Sequence, residues 1–286
     1  MTRKIIAYAS AAVLFLTLAF VASTQNAPPK LTLKMVKDSL YEIEGDGGNV
    51  AVYLTGNGVI LIDDKFEQDH DAIVDAVASV TNQPIRYVIN THYHADHSGG
   101  NGRMATMNLQ IISTAQSRIN IQKKIQSNAP PNVVPASVVF TDQTSVFLQG
   151  KEVRAKYFGR AHTNGDAFIY FPALKVLHTG DAMAGASPLI DYPGGGSVVE
   201  WTNTLDKVMK EWDFDTVIPG HGPVTNKAGL QTYRDNIAKM RTEVSGMVKG
   251  GKNQADVAKY METNYMWAAN SLQQQWSVPG FMTELK

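Results

Sequence analysis

The alternation of apolar and polar positions in the first quarter of the chain predicts a sheet. Four short apolar or alternating segments follow one another at residues 31–36, 41–44, 50–54 and 59–62. Glycine-rich breaks at residues 45–48 and 56–58 separate them, as turn residues separate the strands of hairpins. The protein is therefore expected to begin as hairpin-linked strands.

Helical spacing of apolar residues comes next. Residues 67–80 place apolar side chains on one face behind acidic residues in the first turn. The second half of residues 111–127 is also helical in pattern, as are residues 200–212 and 229–248. Strand patterns return at residues 86–90, 146–148, 153–158, 167–171, 175–177 and 216–218. Two sheets covered by helices, an α/β fold, account for this order of elements.

The N-terminus predicts export. Arg3 and Lys4 precede an apolar run over residues 5–22, and small and polar residues follow it, which is the layout of a secretory signal. We expect residues 1–24 to be a signal peptide, or an uncleaved membrane anchor, since the run is long. Residues 25–30 are a spacer in either case, and the protein is predicted to be periplasmic or secreted.

Composition limits the remaining 31–286 segment to a single globular domain. The length of this segment suits one large domain better than two, and the whole chain, with 44% hydrophobic and 18% charged residues, has the composition of an ordinary folded protein. Lys plus Arg and Asp plus Glu both number 26, which argues against nucleic acid as a partner. A small-molecule substrate is expected, and the sequence indicates no oligomeric state.

A cluster of metal-binding side chains lies at His92-Tyr93-His94-Ala95-Asp96-His97. In extended backbone, residues two apart face the same side, so His92 and His94 can converge on one ion. Asp96 and His97 add a carboxylate and another imidazole in the turn that follows. One ion takes three or four protein ligands, so four donors within six residues suggest two ions. The chain has no cysteine, so any metal must be held by His and carboxylates.

Three further donors follow predicted strands at His162, Asp181 and His221. A donor just beyond a strand end lies in a loop held by a rigid sheet, where active sites are commonly built. Two other histidines receive different interpretations. His70 is interpreted as a solvated residue at a helix start, and His178 as a strand-end residue outside the ligand set.

Asp63 and Asp64 close another predicted strand. A carboxylate there can orient a metal-binding imidazole, although a turn or cap role explains it equally well. The loops expected over the metals, and hence expected to select the substrate, are residues 45–48, 128–136 and 184–198.

On these residues the sequence resembles the metallo-beta-lactamase superfamily. The signature His-x-His-x-Asp-His stands whole at residues 92–97, and the later donors follow in the expected order. The resemblance implies a four-layer αββα sandwich with metals at one edge. It also implies two zinc ions, one held by His92, His94 and His162, the other by Asp96, His97 and His221, with Asp181 as the bridge.

The resemblance does not single out a lactamase. The best-known lactamase subclass has Cys where this chain has Asp181, followed by a substrate-binding Lys that is missing here. A bridging Asp is similar to the glyoxalase II, lactonase and arylsulfatase branches. The expected activity is zinc-dependent hydrolysis of an ester, lactone, thioester or beta-lactam through a metal-bound hydroxide, with Asp96 as the catalytic residue.

Two other functions are compatible with the same residues. A mono-iron oxidoreductase resembling the persulfide dioxygenases would use similar donors, since imidazole and carboxylate suit iron as well as zinc. A metal-stabilised binding module without catalytic activity would also carry the same donors.

Overall fold

The structure is a computed structural model that describes residues 30–127, 133–185 and 187–286. The predicted leader at residues 1–24 lies outside these ranges, as does the spacer apart from Lys30. Within them, no helix combines the length and apolarity that crossing a membrane requires.

Thirteen strands form within the described residues. They are β1 (Thr32–Lys37), β2 (Leu40–Glu44), β3 (Val50–Leu54), β4 (Val59–Ile62), β5 (Ile85–Ile89), β6 (Gln110–Thr114), β7 (Val138–Phe140), β8 (Gln143–Leu148), β9 (Lys151–Lys156), β10 (Phe168–Phe171), β11 (Val176–His178), β12 (Thr216–Ile218) and β13 (Thr225–Asn226). The strands that the sequence predicts are all present, with shifts of one to three residues at their ends; the largest is at the start of β8, which was predicted to begin at residue 146.

Eight α-helices form in the same part of the chain. They are α1 (His70–Ala78), α2 (Ala95–Ser98), α3 (Asn101–Met104), α4 (Ala115–Gln126), α5 (Val198–Glu211), α6 (Lys227–Lys249), α7 (Gln254–Tyr265) and α8 (Leu272–Glu284). Side-chain caps begin several of them: Thr114 accepts from the backbone of Ser117 at the start of α4, and Ser197 from that of Glu200 at the start of α5.

The strands form two mixed sheets. The first has seven strands in the order β1 to β7, antiparallel as far as β4 and parallel from β4 to β7. The second has six strands in the order β13-β12-β11-β10-β9-β8, with β11 and β12 parallel and the other pairs antiparallel. Parallel pairs need crossover connections, and α1 and α5 supply two of them.

Alternating strand residues divide the core into three apolar layers. On β4, Val59 and Leu61 pack towards α1, whereas Ile60 and Ile62 face the second sheet. On β10, the residues at 169 and 171 meet the first sheet, and those at 168 and 170 pack among residues of α5 and α6. The central strands of both sheets thus bury both faces, and the predicted αββα sandwich is confirmed.

The two C-terminal helices were not predicted from the sequence. Their apolar residues do not form a regular stripe, and α8 contains Pro279 and Gly280, which are poor residues for a helix interior. Tertiary packing compensates, because Val257 on α7 and Val278 and Phe281 on α8 join the same apolar layer as α5 and α6.

The interpretation of His70 as a solvated residue is wrong. His70 begins α1, but its side chain is only 6% exposed. Burial lowers the pKa of its ring, with help from the positive charge of Arg103. The polar sequence around it did not reveal that α1 turns this residue inward.

Glu42 on β2 is the basis of a stability prediction. It is 1% exposed, and its Oε1 has no hydrogen-bond partner among the described residues. Burial, reinforced by repulsion from Glu44, raises the pKa of Glu42 to about 7. The folded state therefore retains this proton at pH values where the unfolded chain has lost it. The resulting stability is fully present below about pH 4.5 and is lost as the pH rises through 7.

We expect Glu42→Gln to remove this loss. At pH 8 the variant should exceed the wild type in free energy of unfolding by roughly 2 to 3 kcal/mol, since one pKa unit corresponds to about 1.4 kcal/mol. At pH 4.5 the two proteins should be nearly equal. Urea unfolding at both pH values measures this, with the more exposed Glu211→Gln as control. An equal difference between wild type and Glu42→Gln at the two pH values would contradict it.

Candidate metal centre

Loops that follow four strands meet at one edge of the sandwich and carry the predicted donors. The loop after β5 carries His92, that after β9 carries His162, that after β11 carries Asp181, and that after β12 carries His221. Backbone hydrogen bonds join the two sheets at this edge: Ala167 donates to the carbonyl of Thr91 at 2.7 Å, and Asn49 to that of Gly220, also at 2.7 Å. These hydrogen bonds between the two sheets therefore fix the positions of the loops at this edge of the sandwich.

Three imidazoles converge to form what we call the first donor group, His92, His94 and His162. The Nδ1 atom of His94 lies 3.0 Å from Nε2 of His92 and 3.0 Å from Nε2 of His162. All three side chains are buried or nearly so. The convergence of His92 and His94 that their spacing predicts is thus present in the structure, although the segment between β5 and α2 is not a strand.

The second donor group consists of Asp96, His97 and His221. Oδ2 of Asp96 lies 3.1 Å from Nε2 of His221 and 3.5 Å from Nε2 of His97. The two imidazole nitrogens are 3.3 Å apart. Unlike the first group, this one is open to the surface, since the side chains of His221 and Asp96 are 37% and 24% exposed.

Asp181 lies between the two groups. Its Oδ1 is 3.2 Å from Nε2 of His97 and 3.4 Å from Nε2 of His221, whereas its Oδ2 is 3.7 Å from Nε2 of His162. One carboxylate therefore faces both groups, each through a different oxygen. Oδ1 is buried and makes no hydrogen bond with good geometry among the described residues.

Two of the imidazoles are oriented through Asp63. Its Oδ2 lies 2.8 Å from Nδ1 of His97, and it also accepts a hydrogen bond from the hydroxyl of Thr91 at 2.7 Å. That hydroxyl in turn lies 3.1 Å from Nδ1 of His92. The orienting role suggested by the sequence thus agrees with the contacts of Asp63. Asp64 instead accepts from the backbone of Gly100.

The other two buried imidazoles are oriented by the segment that precedes α5. Nε2 of His94 lies 2.8 Å from Oδ2 of Asp191, and Nδ1 of His162 lies 2.6 Å from the carbonyl oxygen of Leu189. Each imidazole therefore has one nitrogen at an acceptor outside the centre, while the other nitrogen faces inward. This arrangement selects the tautomer that presents a lone pair to a cation.

The C-terminal helix α8 holds this orienting segment in place. The hydroxyl of Ser277 bonds to both the N–H and the carbonyl of Ile190, at 3.0 and 3.1 Å. The carboxylate of Glu284 accepts from Tyr192 at 2.6 Å and from Ser197. Sequence patterns gave no signal for Leu189 or Asp191, because their roles depend on a helix about 80 residues later in the chain.

His178 is not a ligand in this arrangement. Its Nε2 lies 3.1 Å from the carbonyl oxygen of Asn49, and its Nδ1 accepts from the N–H of Gly180 at 3.1 Å. It therefore links the two sheets beneath Asp181, in agreement with its interpretation as a strand-end residue.

The close approach of backbone to the centre requires glycine at two positions. A Cβ on Gly220 would lie 2.0 Å from Oδ1 of Asp181, and one on Gly48 would lie 2.2 Å from the ring of His97. The 45–48 loop is fastened there by the buried Lys65, whose Nζ donates to the carbonyl of Gly48 at 2.6 Å.

The electrostatics of the centre favour a cation. Burial and the neighbouring imidazoles hold the pKa of His92 well below its usual value, and burial lowers that of His94 to about 4, so both rings are neutral near pH 7. Burial disfavours a charge on His97, yet Asp181, Asp96 and Asp63 outweigh it and raise its pKa. The same negative field attracts a divalent ion.

The donors fit one metal ion at each group. Neutral imidazoles and ionised carboxylates are the states that bind divalent metals, and three or four donors within 4.8 Å of one another suit one ion. The unpartnered Oδ1 of Asp181 is the kind of buried acceptor that a metal would satisfy.

A cavity of about 520 Å³ opens onto both groups. Besides five of the donors, its lining contains the following residues: Phe66, Ala95, Lys124, Ala184, Ser187, Leu189, Leu272, Gln273 and Trp276. The predicted loop at residues 184–198 contributes to this lining. Residues 128–132 of another predicted loop lie outside the described part of the chain, and residues 133–136 do not line the cavity.

Comparison with known sequences agrees with this geometry. The sequence model of the metallo-beta-lactamase superfamily matches residues 43–221. The chain is 24% identical over 194 residues to the metallo-beta-lactamase type 2 of Bacillus cereus, covering 67% of this chain and 73% of that protein. It is 23% identical over 176 residues to metallo-beta-lactamase IND-1 of Chryseobacterium indologenes, covering 60% and 71%.

Solved structures share the fold. The DIM-1 metallo-beta-lactamase superposes with a TM-score of 0.65 at 17% identity, covering 74% of this chain and 98% of that one. A metallo-beta-lactamase from Pontibacter korlensis gives the same TM-score at 15% identity, covering 73% and 99%. The superfamily match ends at His221, before α6, α7 and α8.

The contact between His94 and Asp191 leads to a prediction about metal affinity. We expect Asp191→Asn to weaken zinc binding at the first donor group by about 10–100-fold, because the residue that orients a ligand contributes to its affinity. Competition with a chromogenic chelator measures this. Asp213→Asn, at an exposed aspartate, is the control and should bind zinc as the wild type does. Unchanged affinity in Asp191→Asn would contradict the assigned role.

Proposed function

The chain belongs to the metallo-beta-lactamase superfamily, and from this premise we propose that it is a dinuclear zinc hydrolase that cleaves an acyl bond. The bond is that of an ester, lactone, thioester or beta-lactam, and the attacking group is water. The observation that carries the proposal is the position of Asp181, whose two oxygens face two separate donor groups.

Zinc bound at the two groups would supply Lewis acidity, which would polarise a carbonyl and lower the pKa of water to about 7. The residues of the two donor groups determine where a metal would meet the substrate. The first donor group is buried, although His94 and His162 line the cavity, whereas His221 and Asp96 of the second group are more exposed to it.

Asp96 is the proposed catalytic residue. Burial would raise its pKa, but His97 and His221 outweigh this effect and lower it, so the carboxylate is ionised at neutral pH. It lines the cavity and is partly exposed. A carboxylate there can accept a proton from the attacking water and deliver it to the leaving group.

The second donor group favours hydrolysis over the mono-iron alternative. A single iron would be satisfied by three or four donors, which the first group and Asp181 already provide. Asp96, His97 and His221 would then have no role in binding metal, although their donor atoms lie within 3.5 Å of one another.

We expect Asp96→Asn to lower kcat by about 10²–10⁴-fold, the usual contribution of a general acid–base group. Steady-state rates on a chromogenic cephalosporin, a lactone and a thioester, with zinc-loaded protein, measure this. Asp71→Asn, at an aspartate on the surface, is the matched control. Near wild-type turnover by Asp96→Asn would remove Asp96 from the mechanism.

Elemental analysis distinguishes the two metal assignments. Protein purified without added metal should contain about two zinc ions per chain, and His221→Ala should retain about one, since only the second donor group loses a ligand. One iron per chain in the wild type would instead support the oxidoreductase. Zinc content that His221→Ala leaves unchanged would exclude His221 as a ligand.

A further inference from the structure

Lys124 lines the cavity, and its charge faces an aromatic ring rather than a carboxylate. It stands in the last turn of α4, and its Nζ is 4.4 Å from the centroid of the Tyr93 ring. No hydrogen bond or ion pair joins this ammonium to any residue that the structure describes. It is also the one lysine or arginine among the described residues that line the cavity.

The charge of Lys124 is only partly compensated. Burial lowers its pKa, and the more distant carboxylates of Asp191 and Asp96 oppose this effect. Oδ2 of Asp191 is already engaged by Tyr93 and His94, its Oδ1 accepts from the backbone of Gly194, and neither oxygen forms an ion pair with the ammonium. A partly desolvated ammonium gains most from an acceptor that a ligand brings.

Trp276 supplies an apolar surface in the same cavity. It extends from α8, outside the part of the chain that the superfamily model matches, and its ring centroid lies 5.3 Å from that of His94. Leu272, one turn earlier on the same helix, is 53% exposed at the cavity. Lys124 and Trp276 thus flank the adjacent rings of Tyr93 and His94, whose centroids are 4.6 Å apart.

We propose that Lys124 and Trp276 form a substrate subsite that selects acyl compounds carrying a carboxylate next to a planar apolar group. The carboxylate pairs with Lys124, and the planar group packs against Trp276, while the scissile carbonyl reaches the metal centre. This inference rests on the proposed hydrolase function, and it assigns substrate selection partly to the C-terminal helix.

Two 4-nitrophenyl esters test the subsite. The ester of terephthalic acid retains a free carboxylate, and the ester of 4-methylbenzoic acid is neutral. Hydrolysis adds water across the same acyl–oxygen bond in both and releases 4-nitrophenol. We expect the wild-type kcat/KM to be about tenfold higher for the anionic ester, mainly through KM, as for one charge-assisted hydrogen bond.

Lys124→Met should abolish this preference, and Lys124→Arg should restore part of it. Lys123→Met is the matched control, since Lys123 is the preceding, exposed lysine on α4 and should leave the preference intact. Trp276→Leu should lower kcat/KM for both esters by a similar factor. When the wild type cleaves the esters, a preference that survives in Lys124→Met, or that is absent in the wild type, overturns the inference.

A binding measurement separates this inference from the proposed function. In calorimetry with zinc-loaded protein, terephthalate should bind about tenfold more tightly than 4-methylbenzoate, and Lys124→Met should lose the difference. If the wild type cleaves neither ester but shows this Lys124-dependent difference, the hydrolase proposal loses support while the subsite stands. If both esters are cleaved and no difference in binding exists, the subsite fails while hydrolysis stands.

Discussion

The structure depends on how four buried imidazoles are oriented. In His92, His94, His97 and His162, one ring nitrogen lies at an acceptor outside the centre and the other points inward. Burying this many inward lone pairs beside two carboxylates is costly unless a cation occupies the space between them. The neighbouring loops, the glycines and the lysine beneath the 45–48 loop all maintain this one arrangement.

The αββα sandwich supplies the rigidity that such an arrangement requires. The central strands of both sheets bury both faces, so the loops that carry the donors start from strands that cannot shift independently. The segment after β5 of the first sheet carries His92, His94, Asp96 and His97. Segments that follow strands of the second sheet carry Asp181 and His221. Helix α8 completes the centre from outside, because it fixes the segment that orients His94 and His162.

The sandwich fold and the residues of both donor groups were predictable from the sequence, because they leave local patterns along the chain. Residues whose roles depend on distant segments leave no such pattern. Strands such as β4 and β10 can be predicted because alternating or continuous apolar residues directly reflect burial. Residues 92–97 can be identified as a metal site because few structural roles need such a cluster of histidine and aspartate. Asp191 and Trp276 could not be identified, since an acidic loop residue and a tryptophan in a helix interrupted by proline have no local signature. Their roles arise from contacts between segments that are distant in sequence.

The central claim is that two donor groups bind two metal ions with Asp181 between them. Anomalous diffraction at the zinc edge, on crystals of the zinc-loaded protein, tests it most directly. Two peaks are expected, one at the first donor group and one at the second, with an oxygen of Asp181 directed at each. A single peak, or a peak at the second group without contact to His221, would contradict it.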